Sequence, residues 1–116
     1  DALTSPSIKL NTNINVYRTY MHSDDLSIWL IKILKNSSKK CPIYNVGSDK
    51  IVNLRTLSKK IAYSVKKKLV LKKIISKKFD YYAPSIAKAK KELNLKISIN
   101  LNDSINSTIK SLNDKN

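Results

Sequence analysis

Residues 43–62 read IYNVGSDKIVNLRTLSKKIA, and this stretch decides the kind of fold the chain can adopt. Four residues rich in β-branched and aromatic side chains (43–46) end at Gly47, the only glycine of the sequence, and read as a short buried strand followed by a tight turn. A lone glycine there supplies a positive backbone torsion or lets another segment come close, so Asn45 and Gly47 are expected to shape the turn. Asn53 is then placed to cap a helix whose inner face carries Leu54, Leu57, Ile61 and Val65, with Lys59, Lys60, Lys66 and Lys67 mainly outside. Strand, turn and helix in succession predict a mixed α/β unit.

Working outward, Pro42 in NSSKKCP stops whatever precedes it, and the preceding segment is strongly helical. From Ser23, expected to cap, Leu26, Trp29, Leu30, Ile33 and Leu34 recur at helical spacing, and Asp24 and Asp25 complement the positive end of the helix dipole. Earlier still, residues 8–21 alternate in short runs that suit two brief strands. Downstream, LVLKKII (69–75) predicts a strand and SKKFDYYAPS (76–85) a loop. A third helix is expected after a Ser85 cap, with Ile86, Ala89 and Leu93 inward and Lys88, Lys90 and Lys91 in water. A fourth begins at an Asn100–Asp103 capping box, runs through Leu101, Ile105, Ile109 and Leu112, and frays in the final NDKN.

The 116 residues carry 23 Lys and Arg against 8 Asp and Glu, a net charge of +15. Such an excess attracts polyanions. Only Arg18 and Arg55 are arginine, however, and arginine is the side chain that grips phosphates and guanine edges bidentately. Abundant Lys, Asn and Ile with one Gly also arise from AT-rich codon usage, so the charge by itself defines only an alternative, a small lysine-rich nucleic-acid-binding module. No apolar run reaches the length of a membrane span, and the first ten residues lack an apolar signal core, so a cytoplasmic protein without a membrane partner is expected.

Chemistry is sparse. One Cys (Cys41) and one His (His22) exclude an internal disulfide and a self-contained Cys/His zinc site, and no local signature supports a Cys41–His22 nucleophilic pair. Adjacent Asp24 and Asp25 diverge by roughly 100° on a helix and do not form an acid–base pair. A single glycine rules out dinucleotide and P-loop phosphate cradles. Tyr63 and Lys67 match the YxxxK spacing of short-chain dehydrogenases, but in so lysine-rich a helix the match is accidental, and Tyr63 is expected to be a partly buried tyrosine.

Three segments taken in order carry a resemblance. RTYMHSDDLSIWLIKIL, IYNVGSDKIVNLRTLSKKIA and YYAPSIAKAKKELNLKISINLNDSINSTIKSL resemble successive parts of the carboxy-terminal portion of NAD-dependent epimerases and dehydratases of nucleotide sugars, the extended short-chain dehydrogenase family. The match spans residues 16–112, with the middle segment the most specific. It implies that residues 1–116 form a small α/β substrate-binding subdomain, three to four helices with short strands, lacking the Rossmann domain. It further implies that NAD and the catalytic Tyr and Lys belong to that missing amino-terminal part, so this chain alone binds no NAD and does not turn substrate over. The implied partners are a nucleotide sugar, the Rossmann domain of the parent and a possible second copy. Arg18 occupies the motif's phosphate-binding arginine position; an exposed strand arginine is the plain alternative. Tyr82 falls where relatives place an aromatic residue near the nucleotide, and Lys77 or Lys78 stands in for a second phosphate-binding arginine, Lys78 being the one carried forward as a contact. Ser85 replaces a usual Asp, and NTNIN (11–15) replaces a Gly-rich turn.

Overall fold

The computed structural model describes residues 2–114. Five strands and four helices alternate along the chain: β1 (Ser7–Leu10), β2 (Asn15–Thr19), α1 (Ser23–Lys35), β3 (Ile51–Asn53), α2 (Leu54–Ser64), β4 (Lys68–Leu71), β5 (Phe79–Tyr81), α3 (Ala87–Leu93) and α4 (Leu101–Asn113). The expected small α/β unit of four helices and short strands is what forms. β1 and β4 make a parallel pair, and β2 is the centre of a second sheet, antiparallel to β3 and parallel to β5. The two brief strands expected in 8–21 are present, but they belong to different sheets. Each recruits a partner from after α2.

Three local expectations need correction. Residues 43–46 are not a strand: they run without a ladder partner, although Tyr44 and Val46 still pack against the core. The stretch 69–75 is a strand only as far as Leu71. Conversely, the expected loop 76–85 contains β5, whose three residues are all exposed and are held by the ladder to β2 rather than by burial. A three-residue edge strand between lysines and Pro84 carries too short a pattern to register as alternation.

The core lies where α1, α3 and the segment after α3 meet. Trp29 is fully buried against Ile86, Ala89, Leu93 and Leu95, and its indole Nε1 donates to the Lys96 carbonyl at 3.1 Å. Ile33 joins this cluster, but Leu26, Leu30 and Leu34 of the expected inner face are exposed, as are Ile28 and Ile31. Apolar residues surround α1 on nearly every side, so periodicity alone could not choose the buried stripe. The chain as a whole is a slab of 50 × 40 × 19 Å with a radius of gyration of 17.0 Å, against about 13 to 14 Å for a compact domain of this length. The outer face of α1, with Leu26, Ile28, Leu30, Ile31 and Leu34, is left uncovered.

Caps explain the boundaries. α1 is capped by His22 rather than Ser23: its Nδ1 accepts from Asp24 N at 3.2 Å. Asn53 caps α2 as expected, accepting from Arg55 N at 2.8 Å, and Leu57, Ser58 and Ala62 are its most buried residues. α2 ends in a Schellman motif with Lys66 in the left-handed region (φ 53°): Lys66 N donates to Tyr63 O and Lys67 N to Ala62 O. The motif turns Lys67 off the helix, and its Nζ donates to the Leu3 and Ser5 carbonyls at 2.6 and 2.7 Å. Tyr63, 88% exposed, is not the partly buried residue expected, and it does not share a helical face with Lys67. α3 has no side-chain cap; Ile86, not Ser85, occupies that position, and Ser85 instead offers its carbonyl to Asn45 Nδ2. Asn94 (φ 47°) closes it in the left-handed region. Asn100 caps α4 through Asn102 N and Asp103 N, while the Asp103 carboxylate accepts from the Asn100 side-chain Nδ2 rather than from its backbone N–H, so one half of the expected capping box forms. Of the expected fraying in the last four residues, positions 115–116 lie outside the described residues.

Gly47 has φ +152°, and a Cβ placed there would lie 3.0 Å from Pro84 Cγ. The loop before β3 thus approaches the chain after β5 so closely that a Cβ would require the Pro84 ring to give by a few tenths of an ångström. Gly47→Ala is expected to lower stability by about 1–3 kcal/mol through backbone strain and overpacking, read as a lower urea midpoint with an unchanged slope.

Candidate functional site

The central strand β2 carries Arg18, and β5 runs beside it in parallel register: Asn15 faces Phe79, Val16 faces Asp80 and Tyr17 faces Tyr81. The ladder continues one residue further, with Tyr82 N donating to Tyr17 O at 3.1 Å. Strand alternation sends Arg18 of β2 and Asp80 of β5 to one face, and the continued ladder brings Tyr82 beside them. The odd-numbered Tyr17 and Phe79 meet edge-to-face on the other side at 6.4 Å between centroids. Arg18 and Tyr82 lie near the same level of the sheet. Lys78 precedes β5, outside the ladder, about 13 Å from Tyr82 at the usual strand rise per residue, and its amide donates to Ser76 Oγ at 3.1 Å.

Asp80 is the member of this face that sequence reasoning missed. Arg18 Nη2 forms an ion pair with its carboxylate, and Nη1 donates to the Tyr17 carbonyl at 2.8 Å. The hydrogen bond to Asp80 raises the Arg18 guanidinium further above its already high ordinary value, so it stays charged. The signal lay in KKFDYY: a single acid amid lysines, two residues before the tyrosine already singled out. It was invisible as a partner for Arg18 because 76–85 did not read as a strand.

Arg18 is half exposed, its side chain retaining 32% of its accessible surface. It keeps donor capacity toward solvent, and an incoming anion can compete with Asp80 for its fork. Arg55, the other arginine, is committed elsewhere: it sits in the first turn of α2 and donates from Nη2 to the Lys72 carbonyl. Burial raises Tyr20, two residues beyond Arg18, above the ordinary phenol value. A cavity of about 170 Å³ opens beside Tyr20, bordered by Lys50 and Asn100.

His22 is engaged at the α1 cap while Cys41 is exposed in the following loop. Asp25, read as a dipole-complementing residue, is 2% exposed and accepts hydrogen bonds from Ser98 N and Ile99 N, so it ties α1 to the start of α4. Its neighbour Asp24 remains in water. The lysines of α3 are also less idle than expected: Lys88 lies 5.0 Å over the Tyr44 ring, and Lys90 pairs with Asp49 at 2.6 Å, which holds that carboxyl below its usual range. Among the described residues no group of His, Cys, Asp and Glu could hold a metal ion, and no helix is long and apolar enough to cross a membrane. A dinucleotide cradle needs several glycines where backbone meets phosphate, and the sequence has one, Gly47, which packs beside Pro84.

This architecture is shared with solved nucleotide-sugar epimerases and dehydratases. It superposes over 97% of its length on UDP-N-acetylglucosamine 4-epimerase from Bacillus cereus, with a TM-score of 0.77 at 19% identity. UDP-glucose 4-epimerase from Bifidobacterium longum, solved with NAD+ and UDP, gives 0.78 at 16% identity over 97%. The dTDP-glucose 4,6-dehydratase of Bacillus anthracis, solved with NAD, gives 0.77 at 16% identity, again over 97%. The chain spans 36–37% of the length of these enzymes. No protein-family model and no curated protein matches the sequence. At these identities the likeness is one of fold.

Proposed function

We propose that this chain is the substrate-binding portion of an NAD-dependent nucleotide-sugar epimerase or dehydratase and that its β2–β5 face receives the nucleotide-diphosphate end of the sugar nucleotide. The observation that carries this reading is the half-exposed Arg18 fork on β2, flanked by Tyr82 on the neighbouring strand, within a fold common to enzymes of that class. Arg18 takes a phosphate oxygen pair in place of the Asp80 carboxylate, because a pyrophosphate offers the same bidentate geometry with more charge. Tyr82, 63% exposed, offers an aromatic surface to the base. Lys78 adds a point charge from just before β5. In this reading the dinucleotide and the hydride chemistry belong to the remainder of the parent enzyme, and the residues here only hold and orient.

Titrating the ¹⁵N-labelled chain with UDP, dTDP and their glucose conjugates tests this. Amide shifts are expected in Thr19 and Tyr82, with an Arg18 side-chain shift, and Arg18→Gln should weaken binding by about tenfold to a hundredfold, the loss of a charge-assisted hydrogen bond. Absence of these shifts at millimolar nucleotide, or equal binding by Arg18→Gln, would sink the reading.

A further inference from the structure

A second concave surface shares no residue with the Arg18 face. Between α2 and α4 a groove of about 850 Å³ is bordered by Lys60, Lys66 and Lys67 on one side and by the carboxamides of Asn102 and Asn106 on the other; no carboxylate lines it. Tyr63 stands at its edge, 88% exposed, with its ring unused by the core. The cationic wall is held in position. Lys60 Nζ donates to Asn102 Oδ1 at 2.8 Å across the groove, Ser64 Oγ donates to Asn106 Oδ1 at 3.4 Å, and the Schellman motif sets the backbone at Lys66.

We propose that this groove binds single-stranded nucleic acid, with Tyr63 as a stacking surface for a base and Lys60 and Lys66 as phosphate contacts. Three features favour a single strand over other polyanions. A groove rather than a flat face suits a chain of phosphates better than a membrane. An exposed aromatic ring beside lysines is the arrangement on which unpaired bases stack. The wall is all lysine, with no planar guanidinium to read base edges, so binding is indifferent to sequence. Lys67 is spent on the Leu3 and Ser5 carbonyls and serves to hold the groove's end.

The test is fluorescence anisotropy of the full chain with a labelled oligothymidylate of about ten nucleotides, across about 50 to 200 mM salt. Lys60→Gln together with Lys66→Gln should make the log–log salt slope shallower by about 1.4, at about 0.7 for each single-strand phosphate that is no longer neutralised. Tyr63→Leu should weaken binding about tenfold with the slope unchanged. Arg18→Gln should bind the oligonucleotide as the parent chain does, which separates this groove from the nucleotide-sugar face. The side chains of Lys60, Tyr63 and Lys66 are exposed, so these variants are expected to fold, and circular dichroism checks it. An unchanged slope in the lysine variant, undiminished binding by Tyr63→Leu, equal affinity for a duplex of the same length, or abolished binding in Arg18→Gln each overturns the proposal.

Discussion

Trp29→Ala is expected to lower the urea midpoint of this chain more than any other single truncation in the core. Trp29 is fully buried, and around it stand Ile86, Ala89, Leu93 and Leu95 with Met21, Ile33, Tyr44, Val46 and Ile97 beyond. Truncating a buried tryptophan to alanine costs about 3–5 kcal/mol in transfer energy and residual cavity. Few other residues can compensate, because the slab shape leaves only a thin core, and a domain of this size starts from about 5–15 kcal/mol. The change also leaves the Lys96 carbonyl without its indole donor. Trp29→Phe refills most of the volume and should cost less than half as much. Circular dichroism during urea unfolding checks both variants; an alanine variant that unfolds at the parent midpoint would show that the core lies elsewhere.

Asp25→Asn should produce the second largest loss, about 2–3 kcal/mol, because charge-assisted hydrogen bonds of this kind are worth about 1.5–3 kcal/mol each. The carboxylate is 2% exposed, and its two oxygens accept from Ser98 N at 3.1 and 3.2 Å and from Ile99 N at 3.0 Å. An amide of the same shape keeps one acceptor but turns an NH₂ toward backbone donors. Asp24→Asn is the matched control. Asp24 is solvent-exposed in the same helical turn and approaches only the His22 ring, at 3.6 Å, so its change removes surface interactions of less than about 1 kcal/mol. Equal losses at the two positions, read by Trp29 fluorescence in urea, would mean that Asp25 acts through the helix dipole and not as a tie between α1 and α4.

The contrast between these two aspartates illustrates what sequence could and could not reveal. Both sit in the first turn of α1, and helical charge preference accounts for either equally well. Only the return of residues 98–99 to that spot distinguishes them, a hydrogen bond across 73 residues of chain. The Arg18 face follows the same logic. Arg18 and Tyr82 were singled out one at a time from the motifs around them, and the ladder from Tyr82 N to Tyr17 O brings them to neighbouring positions. Asp80 was not legible, since its importance follows from β5 being a strand, and β5 is held by its partner rather than by its own three-residue pattern.

By itself the sequence determined the four helices, the two early strands, the caps at Asn53 and Asn100, the turn at Gly47, and the absence of a glycine-rich phosphate loop. These follow from properties that act within a few residues: periodicity, side-chain capping and permitted backbone torsions. Tertiary structure decided which stripe of α1 is buried, which strands pair, that 43–46 has no ladder, that Asp25 is an internal tie, and that Asp80 guards Arg18. Those outcomes depend on contacts between distant segments, and a helix apolar on several sides or a three-residue edge strand does not contain the information to choose among them.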